Sequence, residues 1–366
     1  MSDGPLLEEA LLDDALRRLF DDHVTPEVLA AAEDGVWPER LWRAVAEAGA
    51  AWIGVPEHAG GSGGTVAHAA LAAFVAGRFA APIPLVETGP LAGWLLARAG
   101  LVVPRAPLSI APGHDADDMA ARRRPGGWEL TGTWHGVPWG VECEHIAGLV
   151  PVGTEWLVVG VPREATTLTR RRNIAGEPRD TVRVGRLLLV DNAAGIADVD
   201  RDALWHRGAL LRAHQIAGAL ERVAELTVRH ANERVQFGRP IARFQAVQDH
   251  LVGITAQAAR TVAVAVGAAA RAADTEPATV DAATAKIVAS AAVQPVTARA
   301  HQVHGAIGTT MEHPLQRLTR RLWSWRDEFG SEIWWSERLA DTLPDAGSDG
   351  IWRMIHETPA MTVAPD

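Results

Sequence analysis

The chain has 366 residues, a formal net charge of -10, 48% hydrophobic residues and 22% charged residues. That length and composition suit a globular protein of two or three packed domains. The acidity argues against a sequence-independent grip on nucleic-acid phosphates, so no nucleic acid is expected among its partners. The single cysteine, Cys143, rules out an intrachain disulfide and a cysteine-built metal site, and reads as a buried thiol in a reducing, cytoplasmic setting. Met1 to Arg17 lacks the basic-then-apolar order of a signal peptide, and no run of about 18 apolar residues predicts a membrane span. The basic runs Arg122 to Arg124 and Arg170 to Arg172 read as solvated turns.

Between residues 5 and 50 apolar residues recur at helical spacing, among them Leu11, Leu16, Leu19 and Phe20. Trp37-Pro38 predicts the first turn of a helix that ends near Gly49. An extended segment follows at 52–57, then the flexible turn Gly60-Gly61-Ser62-Gly63-Gly64 and a helix over Val66 to Ala80. Pro82 and Pro84 break it, and a further helix spans Pro90 to Ala99. From about 104 to 199 short β-rich runs with turn signals predict a small β domain, with strands at 128–132, 145–150, 156–161, 181–184 and 187–190. Beyond Leu204 the pattern is long helices: 204–231, 244–273, 277–303 with Pro295 as a kink, and 314–325. Short or glycine-bearing connections between them predict an antiparallel four-helix bundle. The expected class is α+β, with an N-terminal helical domain at 1–103, a small middle β domain at 104–200, a C-terminal helical bundle at 201–345 and a tail at 346–366.

Candidate chemistry is sparse. Gly60 to Gly64 has the letters of a nucleophile elbow but lacks the strand–turn–helix setting. No dinucleotide fingerprint follows a strand, and no phosphate-binding P-loop occurs. His301, His304 and His313 sit near a helix end without acidic partners at ligand spacing, so no metal site is predicted. Two runs stand out. The first is Glu233-Arg234-Val235-Gln236-Phe237-Gly238-Arg239-Pro240-Ile241, followed by Phe244-Gln245-Ala246-Val247-Gln248. There an arginine at a helix–helix corner can present a fork to a phosphate, with Phe237 as an aromatic face beside it; a plain helical hairpin with a surface arginine accounts for the same letters. The second is Ala300-His301-Gln302-Val303-His304-Gly305-Ala306-Ile307-Gly308-Thr309-Thr310.

Both runs resemble the acyl-CoA dehydrogenase family, the first its Arg-x-x-Phe-Gly-x-Pro-Ile-x-x-Phe-Gln corner and the second its Gln-x-x-Gly-Gly-x-Gly turn. Trp37-Pro38, Gly54-Val55-Pro56-Glu57 and Gly60-Gly61-x-Gly63 resemble the N-terminal helical domain of the same family. The resemblance implies FAD between the β domain and the C-terminal bundle, with a neighbouring subunit closing over its ADP half. It implies that Arg234 reaches the FAD pyrophosphate across a subunit interface with Phe237 beside it. Gln302, Gly305 and Ala306 would line the adenosine end, and Gln245 and Gln248 would face the dinucleotide. The implied reaction, an oxidoreductase step of lipid metabolism, is α,β-dehydrogenation of an acyl-CoA thioester: a carboxylate takes the α-proton and the β-hydrogen leaves as hydride to the flavin. The implied assembly is a homo- or hetero-oligomer, usually a tetramer.

The chain departs from the pattern at the chemistry. A gapless count puts Phe329 and Gly208 at the two positions that supply the family's base, and neither can accept a proton. Glu328 and Asp327, beside Phe329, are the candidate bases. Ser109-Ile110-Ala111-Pro112-Gly113-His114-Asp115 stands where the family's Thr-Glu-Pro-x-x-Gly-Ser-Asp run is expected. Small residues around Gly208 predict room for a bulky acyl chain. These departures favour one subunit of a heteromeric dehydrogenase, such as the paired subunits of bacterial sterol side-chain degradation. The alternatives are a self-sufficient enzyme using Glu328 or Asp327, a scaffolding subunit and a flavin-dependent monooxygenase relative.

Overall fold

Helix caps and proline positions set the boundaries of the N-terminal layer. The computed structural model describes residues 4–273 and 275–342, so the expected tail at 346–366 lies outside the described residues. The layer holds α1 (Gly4–His23), α2 (Pro26–Glu33), α3 (Glu39–Glu47), α4 (Val66–Arg78) and α5 (Trp94–Arg98). The Thr25 side chain accepts from the Val28 amide at the start of α2. At the start of α4, Thr65 Oγ1 accepts from the Ala67 amide while the Thr65 amide donates to His68 Nδ1. The helix expected from Pro90 to Ala99 begins differently. Glu87–Gly93 forms a π-helical turn around Pro90, and only then does α5 begin. Pro90 has no amide hydrogen, and the wider turn absorbs the missing bond.

The middle layer is a sandwich of eight strands rather than the five expected. They are β1 (Leu108–Ile110), β2 (Ala120–Arg124), β3 (Gly127–Pro138), β4 (His145–Val152), β5 (Glu155–Pro162), β6 (Thr166–Thr169), β7 (Arg179–Val190) and β8 (Ala194–Ala197). One sheet runs β1-β4-β5-β8, with β1 and β4 parallel, and the other runs β2-β3-β7-β6, antiparallel throughout. Leu130, Trp134, Ile146, Val159 and Val182 fill the space between them. The two strands expected at 181–184 and 187–190 are the single β7. Gly185-Arg186 reads as a break in the sequence, but it is an irregularity opposite Leu130/Gly132 that the ladder passes through.

The C-terminal part holds α6 (Arg201–Glu233), a short hairpin of β9 (Val235–Gln236) and β10 (Arg239–Pro240), α7 (Gln245–Arg271), α8 (Thr279–His304) and α9 (Pro314–Trp325). An unpredicted fifth helix, α10 (Glu332–Thr342), follows. The α8 helix continues through Pro295. By length and composition alone α7 is long and apolar enough to cross a membrane. Alanine and valine raise its mean hydropathy, while Gln257 and Arg260 interrupt any unbroken apolar run. In the fold α7 packs against α6 and α8.

The N-terminal layer and the bundle meet along α4 and α6, where two glycines bring the backbones together. A Cβ on Gly218 would stand 2.0 Å from the Phe74 carbonyl oxygen, and one on Gly77 would stand 2.1 Å from the Gln215 carbonyl oxygen. Backbone at that distance has no soft side chain to yield. Gly218→Ala is therefore expected to lower stability by roughly 1–3 kcal/mol, read as a lower urea midpoint. An unchanged midpoint would mean that the helices separate freely.

Candidate active site and cofactor corner

The two residues that the gapless count assigns to the family's base positions meet in space. Phe329 lies in the turn between α9 and α10 with φ at +53°, followed by Gly330 at +95°. Its side chain is 3% exposed. The ring rests on α6, so that a Cβ on Gly208 would stand 2.4 Å from its edge. The space expected beside Gly208 for a bulky acyl group is thus filled by an aromatic ring. Trp335 Nε1 donates to the Phe329 carbonyl at 2.8 Å. Lys286, fully buried on α8, donates to the carbonyls of Arg326 at 2.6 Å and Gly330 at 2.8 Å. Burial pushes its pKa down to about 7. Lysine and tryptophan together fix the turn in this conformation.

Glu328, the candidate base, is bound on both oxygens. Arg212 Nε donates to Oε2 at 2.8 Å, and Arg179 Nε and Nη2 reach Oε1 at 2.8 and 2.7 Å. Arg212 also pairs with Glu87 at 2.7 Å, and Arg179 with Glu177 at 3.2 Å. Glu177 in turn accepts from Arg321 at 3.2 Å and from Trp325 Nε1 at 3.0 Å. Burial alone would raise the Glu177 pKa, but Arg179 and Arg321 outweigh it and the pKa is lowered. Burial likewise opposes the Arg212 charge, but Glu328, Glu87 and Glu177 outweigh it and raise its pKa. Three carboxylates thus face three guanidiniums where all three layers meet. Asp327, the other candidate, has a side chain 64% exposed, with Arg326 beside it at 3.5 Å.

Aromatic rings also gather one turn earlier on α6. Trp205, three residues earlier on α6, donates to the Pro112 carbonyl at 2.7 Å and packs on Trp334 at 4.8 Å. Arg201 lies over the Trp205 ring and pairs with Asp115. The Ser109–Asp115 run therefore touches the bundle directly. Its Ser109 hydroxyl is turned inward onto the Pro138 carbonyl.

The corner at the far end of α6 is the opposite case. Arg234 is exposed, and among the described residues its guanidinium has no hydrogen bond or ion pair. Phe237 sits at the tip of the β9–β10 hairpin with φ at +51° and is 92% exposed. Gln302, Gly305 and Ala306 are exposed, and a Cβ on Gly305 would meet nothing within 4 Å. Gln245 and Gln248 are exposed but engaged nearby, with Asp249 at 3.1 Å and the Ala242 carbonyl at 3.1 Å. Sequence reasoning missed Glu87, Glu177, Arg179, Arg212, Arg321 and Lys286. One signal was available: Arg212 and Lys286 interrupt the apolar faces of helices that are otherwise buried.

Breaking a buried ion pair leaves its partner charge uncompensated. Glu328→Gln is expected to cost roughly 3 kcal/mol or more, because Arg212 loses one of its two carboxylates. Thermal unfolding reads the loss, and an unchanged midpoint would show that the cluster is not coupled.

With this geometry in view, residues 7–101 match the acyl-CoA dehydrogenase N-terminal domain and residues 201–331 the acyl-CoA dehydrogenase C-terminal domain. The chain is 31% identical to Acyl-CoA dehydrogenase IpdE2 of Mycobacterium tuberculosis over 87% of this chain and 91% of that protein. It is 29% identical to IpdE2 of Mycolicibacterium smegmatis over 86% and 92%. A chain of the ChsE4-ChsE5 complex from Mycobacterium tuberculosis superposes with a TM-score of 0.83 at 24% identity, covering 96% of this chain and 98% of that one. The chain belongs to the acyl-CoA dehydrogenase family.

Proposed function

We propose that this chain is the subunit of a heteromeric acyl-CoA dehydrogenase that does not take the proton, and that it lends its Arg234 corner to FAD held by a partner chain of the same family. The observation that carries this reading is the Phe329 ring resting on Gly208. A ring without a proton acceptor stands where the family's carboxylate would face a thioester. Glu328 offers no replacement, since both of its oxygens accept from guanidiniums; its part is to tether the α9–α10 turn.

The fit to FAD differs between the two ends of the chain. At the seam between sandwich and bundle, Trp205 on Pro112, Arg179 on Glu328 and Arg321 on Glu177 are direct contacts, so a flavin ring does not fit there without displacing them. At the corner the residues do fit: a free guanidinium fork suits a diphosphate, open backbone at Gly305 allows close approach, and the bare Phe237 ring offers a stacking face. FAD bound there would supply the hydride acceptor for α,β-dehydrogenation of an acyl-CoA. The work of this chain is to hold the dinucleotide's anionic part and keep water from it. The ChsE4-ChsE5 complex names two different chains, which agrees with an unlike partner of the same family. Exposed Val252 and Val266 on α7 supply apolar surface for such a contact.

Purified alone, the chain is expected to be colourless and inactive. Co-expressed with its dehydrogenase-like partner it should give a yellow assembly that oxidises an acyl-CoA with an artificial acceptor. A yellow, active chain by itself would overturn the reading. In the assembly, Arg234→Ala should weaken FAD retention by about tenfold, the loss of one charge-assisted contact. Unchanged flavin content after gel filtration would remove Arg234 from the site.

A further inference from the structure

Behind the Arg234 corner stand three packed imidazoles. His304, near the end of α8, lies between His230 of α6, stacked on it at 4.5 Å and 21°, and His313 ahead of α9, edge-on at 4.8 Å. His230 is one turn before Arg234, whose amide donates to the His230 carbonyl at 2.9 Å. His304 directly precedes Gly305. The stack is thus joined through the backbone to both halves of the corner.

Hydrogen bonds assign the protons. His304 is 5% exposed. Its Nδ1 donates to the Ala300 carbonyl at 2.8 Å, so its Nε2 is a bare lone pair, buried and without a partner. His313 Nδ1 accepts from the Leu315 amide at 3.1 Å. Nearby His301 holds Thr319 with Nε2 at 3.0 Å and has a second buried, unpartnered nitrogen at Nδ1. The charged neighbours are Glu233 and Arg234 of α6. Burial first, then mutual repulsion, holds His304 down to about 4 and keeps His313 below the ordinary imidazole range. Burial and then the Arg234 charge do the same to His230, against the pull of Glu233. An anion that neutralises Arg234 removes part of the repulsion on His230, and that ring of the stack is where a proton can enter.

We infer that docking of a dinucleotide diphosphate at the Arg234 corner is coupled to uptake of about one solvent proton by the His230–His304–His313 stack. The inference rests on the reading of Arg234 as a cofactor corner. The bound state holds its proton more tightly than the free state, so acid favours docking and alkali favours release.

FAD is a suitable probe, since its diphosphate diester does not titrate near neutrality. Calorimetric titration of the flavin-stripped assembly of this chain with its partner is expected to show FAD affinity rising roughly tenfold from about pH 8 to about pH 6. The heat should differ between buffers of different ionisation enthalpy, which reports proton uptake without any substitution. His230→Phe keeps a ring in the stack and should flatten the pH dependence. Binding of equal strength at both pH values, with heats independent of buffer, overturns the inference and leaves the corner standing. No FAD binding at either pH overturns both.

Discussion

The architecture turns on the Arg212 guanidinium. It is 2% exposed and bridges Glu87 of the N-terminal layer to Glu328 of the α9–α10 turn, while Glu328 passes the connection through Arg179 to the β sandwich. A charge so far from water persists only with its counter-charges in place. The layers are thereby held in one arrangement at the seam between sandwich and bundle. Phe329 lies next to Glu328 in the same turn, so the ion cluster and the ring on Gly208 are consequences of one another. In that turn Glu328 tethers the layers and Phe329 covers Gly208.

The sequence made the helical layers legible because their signals are periodic and local. The α6 and α9 faces, the Pro38 and Pro314 starts and the Arg234 and Gln302 runs could all be read without a fold. The middle was less legible. Five expected strands became eight because edge strands such as β2, Ala-Ala-Arg-Arg-Arg, carry almost no apolar residues and are defined by pairing alone. Helix α10 was hidden by its two adjacent tryptophans and lack of a clear stripe. At the site, a gapless count assigned Phe329 and Gly208 to the two positions that supply the family's base, and in the fold the ring of one lies on the backbone of the other. The ion cluster was not readable, because Glu87, Glu177, Arg212 and Glu328 lie scattered along the chain and only tertiary structure joins them.

The two ends of α6 show opposite treatments of polar groups. Toward the N-terminal end, Trp205 and Gly208 are covered, and Arg207 and Arg212 are buried with partners. Toward the C-terminal end, Arg234 and Phe237 face outward, with Phe244 edge-on to the Phe237 ring at 6.1 Å. A hydrophobic ring on an exposed hairpin tip is costly for an isolated chain and useful to one that completes another surface. A single helix 33 residues long thus separates a closed interior from an open edge.

The paired glycines of α4 and α6 bear on mechanics. Backbones at van der Waals contact cannot slide past each other by a fraction of a turn without collision, so Gly77 and Gly218 act as a notch and a key. The N-terminal layer and the bundle then move as one block. Any breathing that admits or releases a ligand then falls to short connections such as the β9–β10 hairpin. Among the described residues the long helices α4 and α6 thus serve as rigid levers set by their paired glycines.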